Sequence, residues 1–282
     1  MTPSPVKIGI IAGAGELPGY VARSLAQAGK NLYVAALEGA ADQIVEDDRW
    51  ETGWFRIHDL RELLDGLKTR GVTGIVLAGR VAHAEVFKAD TFDGFFRTFL
   101  EELADHRAST ILGGIVDLFR DNGMKVLALD EIVPDLMPPV GHLAGPAPSQ
   151  DLDQDLVFGW RIARSVADLD IGQTVVVKDR SVVAVEAMEG TDAVIRRAIE
   201  VAGGGITVVK LAAINHDFRY DVPTVGKETV ARIAEGGGAL VVEGGRCTIL
   251  GFEEVVSVCS EGGVTLLSCR EDKSGEVLWT EG

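Results

Sequence analysis

Positive charge is scarce in this chain: 27 Lys and Arg stand against 43 Asp and Glu, a formal net charge of −16. A protein that neutralises a duplex phosphate backbone needs a basic face, and no basic run is present to make one, so nucleic acid is excluded as a partner. Phosphate on a small molecule is not excluded, because backbone N–H groups, a few Arg or Lys side chains or a carboxylate-held cation bind it locally. Cysteine is also rare. Cys247, Cys259 and Cys269 are odd in number and lack CxxC spacing, which argues against a disulfide framework and against a zinc ribbon. His58, His83, His106, His142 and His216 form no HxH or HxxxH pair, and no GxSxG elbow marks a serine hydrolase. No apolar run approaches the roughly 20 residues that cross a bilayer. Met1–Lys7 lacks the basic and apolar regions of a signal peptide, so the expected location is the cytoplasm.

What is present reads as a two-domain α/β protein. The chain of 282 residues is about twice the commonest domain size. In its first half, short apolar runs at 6–12, 32–37 and 74–78 read as buried strands, and amphipathic segments at 18–28 and 60–70 read as helices. Strands and helices in alternation predict a Rossmann-like, doubly wound parallel sheet with ligands at the carboxyl ends of its strands. Five of the nine prolines lie in PDLMPPVGHLAGPAP, Pro134 to Pro148, where helix-incompatible sequence favours a boundary. The expected division is therefore a domain at 1–135, a proline-rich linker at 136–149 and a second α/β domain at 150–282. In the second half a helix is expected at 151–167, a strand pair at 173–178 and 181–187, and a helix at 192–202. A strand at 206–210, an extended segment through Asp221, a helix at 227–234 and a terminal strand pair complete it.

Several segments carry chemistry, each with a plainer alternative. Gly13-Ala14-Gly15-Glu16-Leu17-Pro18 links the first strand to the first helix, where glycines let the backbone approach a phosphate or simply make a tight turn. The full GxGxxG fingerprint is absent, and Pro18 suits a helix first turn. Gly79 and Arg80 end the third strand; Arg80 either pairs with phosphate or is solvated. Phe92, Phe95, Phe96, Phe99 and Leu103 recur at helical spacing just after Phe87, as a core-facing stripe, as the border of an acyl-chain channel or as a surface that docks on a membrane. Glu186, Glu189 and Asp192 cluster at a strand-to-helix junction, with Thr191 or Asp192 as N-cap, and offer carboxylates to a cation or to sugar hydroxyls. In Asp217-Phe218-Arg219-Tyr220-Asp221-Val222-Pro223, an extended backbone would put Asp217, Arg219 and Asp221 on one side. Two carboxylates would then flank one guanidinium, a set suited to pyrophosphate hydrolysis or to a structural ion pair.

Taken together, IAGAGELP (11–18), AGRV (78–81), GPAPSQ (145–150), DIGQTVVV (170–177), VEAMEGTDAVIRR (185–197), Lys210 and DFRYDVPTVGKET (217–229) resemble the LpxI-type UDP-2,3-diacylglucosamine pyrophosphatases over nearly the whole chain. The resemblance implies a magnesium-dependent hydrolase of lipid A biosynthesis that yields UMP and 2,3-diacylglucosamine 1-phosphate, lipid X. It also implies two domains that close over the substrate in an interdomain cleft and a homodimer; the phenylalanine stripe adds transient contact with the inner membrane surface as an expectation. The family's critical aspartate falls on Asp221, with Arg219, Pro223 and Gly226 in the same pattern. The implied catalytic set is Asp221, Arg219 and Lys210, and the implied metal set is Asp221, Glu186 and Asp192. Gly13, Gly15, Leu17, Gly79, Arg80, Gln173, Glu189, Gly190, Thr191, Asp217 and Thr224 are the expected substrate contacts. Ala104–Ser109 departs from the family's Gly-Asp-Asp-Ala-like run and keeps Asp105 as its acid. Two other readings compete: an NAD-dependent oxidoreductase, suggested by the glycine turn and Glu38 at the end of the second strand, and a non-catalytic nucleotide-sugar sensor.

Overall fold

The computed structural model describes residues 6–42, 46–81 and 93–279. Two compact units emerge from it: one runs to Pro134 and takes in Asp217–Asp221, the other comprises Asp135–His216 and the chain from Val222 onward.

The first unit is built on strands β1 (Lys7–Ala12), β2 (Asn31–Glu38), β3 (Glu51–Arg56), β4 (Gly74–Ala78) and β5 (Lys125–Val126). All neighbours pair in parallel, in the order β3-β2-β1-β4-β5. The order reverses between β1 and β4, so the loops that follow these two strands meet at the switch point of a doubly wound sheet. Helix α1 (Leu17–Gln27) joins β1 to β2, and α2 (Leu60–Thr69) joins β3 to β4; α3 (Gly94–Glu101), α4 (Ala108–Asp121) and α5 (Leu129–Ile132) follow. Helix α2 forms because Leu60, Leu63, Leu64 and Leu67 recur on one face and bury it, while Asp59 accepts the N–H of Glu62 at 3.1 Å as N-cap. Each such leucine contributes about 1.5–3 kcal/mol of burial. Strand β3 is an element the sequence reading did not anticipate.

The phenylalanine stripe faces this core. Phe96 and Leu100 are buried, and Phe95, Phe99 and Leu103 pack against the same cluster. The rings of Phe96 and Phe99 lie 5.8 Å apart. Phe87, Phe92 and His83 lie outside the described residues.

The second unit holds a seven-stranded mixed sheet. Its strands are β6 (Gly141–Ala144), β7 (Thr174–Lys178), β8 (Ser181–Val185), β9 (Ile206–Lys210), β11 (Gly238–Glu243), β13 (Val264–Glu271) and β14 (Val277–Leu278); β10 (Thr224–Val225) and β12 (Thr248–Ile249) pair separately. Strands β9, β11 and β13 run parallel, while β7, β8, β6 and β14 join antiparallel to their neighbours. Both faces are covered, as the alternation along the central strands requires. Val208, Leu240, Val242 and Leu266 point to a core formed with α7 (Thr191–Ala202), α8 (Lys227–Ala234) and α9 (Phe252–Gly262). Their neighbours Val209, Val241 and Leu267 point to the other core, with Leu156, Trp160 and Ala163 of α6 (Gln150–Asp168). Within the proline-rich stretch, β6 pairs with β13, and Thr265 Oγ1 donates to the Pro146 carbonyl at 3.0 Å.

The expected helices at 151–167, 192–202 and 227–234 and the strands at 173–178, 181–187 and 206–210 correspond to α6, α7, α8, β7, β8 and β9 to within about two residues at their ends. The extended segment through Asp221 does not form. Among the described residues no helix is long and apolar enough to cross a membrane.

Candidate active site

The glycine turn of the first unit sits at the carboxyl ends of β1 and β4. Gly13 N–H donates to the Ala78 carbonyl at 2.8 Å, and Ala14 exchanges two backbone hydrogen bonds with Arg80 at 2.7 and 2.9 Å. A Cβ on Gly13 would lie 2.6 Å from the Arg80 carbonyl oxygen, and one on Gly79, whose φ is +86°, 2.8 Å from the Ala14 carbonyl. Gly15 N–H donates to Asp42 at 3.3 Å. These glycines therefore let two loops cross in backbone contact, and the N–H groups of residues 13 to 15 are already engaged. Leu17 opens α1 with Pro18 in its first turn and no side-chain cap from Glu16, so the anion-receptive end of this helix lies at Leu17. Arg80 and Glu38 are exposed.

The Asp217–Asp221 stretch is turned rather than extended. His216 N–H bonds the Ala213 carbonyl at 3.1 Å and Tyr220 N–H the Asp217 carbonyl at 3.2 Å. The cause is local: the Asp217 carboxylate accepts the Arg219 N–H at 3.1 Å, which stabilises a turn at the expense of a strand. Asp217 and Arg219 meet through this turn. Arg219 Nε and Nη2 grip the two carboxylate oxygens at 2.9 and 2.6 Å, and the Asp217 hydrogen bonds push the guanidinium pKa upward and keep it charged. Phe218 accepts the Leu129 N–H at 2.9 Å, and Tyr220 packs on the first unit's core. Asp221 is exposed and sits in the left-handed region at φ +49°, a conformation that Asp tolerates better than most residues. Asp217 thus orients Arg219 and keeps it charged, while the second carboxylate is presented from a constrained turn.

In the second unit, Lys210 ends β9 with only 3% exposure. Its ammonium donates to Thr191 Oγ1 at 2.9 Å and to Thr174 Oγ1 at 3.2 Å, and Thr191 in turn donates to Glu186 Oε1 at 2.9 Å. Glu186 Oε2 lies 3.7 Å from Lys210 Nζ. Ala187 N–H and Arg197, the latter at 2.6 Å, hold Glu189, and its own backbone N–H leads the contacts that keep its carboxyl below the usual range. Asp192 accepts from Thr229 at 3.5 Å, Gln173 accepts the Leu211 N–H at 2.9 Å, and Thr224 accepts from Thr248 at 2.7 Å. The N-cap of α7 is Gly190, at φ +84°, and neither Thr191 nor Asp192; the Thr191 hydroxyl is committed to Glu186 and Lys210 instead. Thr174 is a partner that sequence reasoning missed; its hydroxyl sits at the start of an otherwise apolar strand.

Among the described residues, no three His, Cys, Asp or Glu side chains converge as a metal-holding group. Glu186 shares its surroundings with an ammonium that already balances it, which disfavours a second cation there. Asp221, exposed on its turn, fits a site that uses one protein carboxylate. Asp105, the acid of the stretch that departs from the family, accepts from Arg107 at 2.9 Å and from Thr110 at 2.5 Å, and these bonds hold its carboxyl well below the usual range.

Residues 7–136 match the LpxI N-terminal domain and residues 139–267 the LpxI C-terminal domain. A relative from Caulobacter vibrioides, the UDP-2,3-diacylglucosamine pyrophosphatase LpxI, is 30% identical over 273 residues, covering 93% of this chain and 96% of the relative. Matched in order through both units and along nearly its full length, the chain belongs to the LpxI family.

Proposed function

We propose that this protein hydrolyses the pyrophosphate of UDP-2,3-diacylglucosamine to UMP and 2,3-diacylglucosamine 1-phosphate in lipid A biosynthesis. The full-length likeness to a pyrophosphatase of that specificity carries the reading. It leaves the NAD-dependent and non-catalytic alternatives without support. In the reaction, water oxygen bonds to phosphorus and the bridging P–O bond breaks; attack on the sugar-side phosphorus expels UMP.

Asp221 is the catalytic carboxylate, as acceptor for the attacking water or as holder of magnesium. Magnesium uses one or two protein carboxylates and keeps several waters, and when bound to phosphate oxygens it supplies Lewis-acid polarisation. Arg219, kept charged by Asp217, neutralises developing charge on the phosphates. Lys210 and Glu186 contribute through the network that sets Thr191 and Gly190 at the start of α7. Leu17, Gly79 and Arg80 at the switch point of the parallel sheet suit the nucleotide portion. An acylated substrate resides at a membrane–water boundary, so the reading includes transient docking of a cytoplasmic homodimer on the inner membrane.

The test is direct. Purified protein incubated with UDP-2,3-diacylglucosamine and magnesium in oxygen-18 water should release unlabelled UMP and labelled sugar phosphate. Absence of UMP overturns the activity, and label in UMP overturns the site of attack.

A further inference from the structure

Thr174 and Lys210 stand directly opposite each other where β7 pairs antiparallel with β9, so their side chains share one face of the sheet. Val176 and Val208, two residues away on the same strands, point from that face into the core under α7, α8 and α9. The Glu186 N–H donates to the Thr174 carbonyl at 2.9 Å, which brings the chain leaving β8 alongside. The sheet thus gathers a hydroxyl, an ammonium and a carboxylate at one end of an otherwise apolar face. Thr174 is fully buried, and none of the roles above uses it.

An ammonium offers three N–H donors. Lys210 commits one to Thr174 Oγ1 at 3.2 Å and one to Thr191 Oγ1 at 2.9 Å, and Glu186 Oε2, 3.7 Å away, balances its charge. With its side chain only 4% exposed, Lys210 is closed to a substrate phosphate, so any effect it has on substrate passes through Thr191. Thr191 opens α7 behind Gly190, which has no side chain to cap the helix, and its hydroxyl completes the circuit by donating to Glu186 Oε1 at 2.9 Å. All four side chains belong to the second unit, and the arrangement is complete within it. A buried ion network is a poor route to stability, because apolar residues of similar volume commonly serve as well or better. What this one supplies is a fixed first turn of α7.

We infer that Thr174 is a positioning residue: through Lys210 it sets the Thr191 hydroxyl, and with it the first turn of α7, where the hydrolase reading puts the substrate contacts Gly190 and Thr191. The inference rests on that reading. Thr174→Val is the informative change, because valine keeps the β-branched shape, removes only the hydroxyl and extends a strand whose next three residues are already valine.

The experiment measures UMP release from UDP-2,3-diacylglucosamine by the full-length protein and by Thr174→Val, Thr174→Ser, Lys210→Met and the combined Thr174→Val, Lys210→Met variant, with melting temperature alongside. Thr174→Val should raise KM about 3- to 10-fold and keep kcat within about twofold, because contacts made equally in the ground and transition states act on KM alone. Thr174→Ser keeps a hydroxyl and should recover most of the loss. Lys210→Met should raise KM at least as far, and adding Thr174→Val to it should change KM by less than about twofold, because an effect that passes through Lys210 cannot add to its removal. If Lys210→Met does not fold, the contrast between the valine and serine variants carries the test. An unchanged KM in Thr174→Val, a serine variant no better than the valine one, or a full further rise in the combined variant overturns the positioning role while the hydrolase reading stands. No UMP from the unsubstituted protein overturns the hydrolase reading, and the role of Thr174 with it.

Discussion

A left-handed backbone at Asp221, φ +49°, limits what can replace it. Asn shares the tolerance of Asp for this region, whereas Ala has no polar side chain to offset the strain of its Cβ there. Asp221→Asn is therefore the cleaner probe of the carboxylate. Contact geometry makes a second residue-scale prediction: Gly13→Ala should lower stability by about 1–3 kcal/mol, because its Cβ would fall 2.6 Å from the Arg80 carbonyl oxygen. Thermal unfolding checks it, and a variant as stable as the original would mean that the two loops separate easily. The Glu186–Lys210 pair gives a third. Glu186→Ala strands a buried ammonium and should destabilise by about 3–5 kcal/mol, while pairing it with Lys210→Met should recover most of the loss. Denaturant midpoints of the single and double variants decide between a mutually dependent pair and two independent residues.

At the scale of elements, the β7–β8 hairpin turns on Asp179 and Arg180, both left-handed at φ +50° and +58°. Buried Asp155 of α6 accepts their N–H groups at 3.1 and 2.6 Å. Asp155→Ala should destabilise by about 1–3 kcal/mol by leaving two turn donors without their acceptor, a loss measurable by chemical denaturation. Strands with continuous valine or isoleucine runs, β1, β7 and β9, were legible in the sequence because both of their faces are buried. Strand β3 was not, since Gly53 interrupts it and charged residues end it, and its place is set by pairing with β2. Strand β11 begins at Gly238 and ends just before Gly244–Gly245, and it pairs with β13 near the end of the chain, where a strand pair is expected. The period of two across Asp217, Arg219 and Asp221 misled because a side-chain hydrogen bond to Arg219 N–H outcompetes extension. The Asp217–Arg219 meeting itself was legible, while its bidentate geometry belongs to the turn.

For the whole molecule, burial of all three cysteines is a property of the folded state. Desolvation pushes the thiols of Cys247 and Cys269 up to about 12 and that of Cys259 to about 11, from an ordinary value of 9.0. A raised folded value means that the associated stability is intact below about pH 9 and is lost as pH climbs from there towards 12. Melting temperature should therefore fall across that alkaline range, and a thiol reagent at pH 8 should label the protein only as it unfolds; rapid labelling of the native protein would contradict this burial. The order of motifs along the chain makes the family legible in the sequence itself, because the Glu186–Arg197 and Asp217–Thr229 blocks pair uncommon residues at fixed spacing. Partners of the buried charges, Thr174 for Lys210 and Glu243 for Arg164, come from strands distant in sequence and had no local signal. The central claim is that the carboxylate of Asp221 drives hydrolysis of a phosphoanhydride. Its most direct measurement is the turnover of UDP-2,3-diacylglucosamine by Asp221→Asn beside the unsubstituted protein. The account predicts a fall in kcat of about 10²–10⁴-fold with the melting temperature and substrate binding kept; turnover near that of the unsubstituted protein would contradict it.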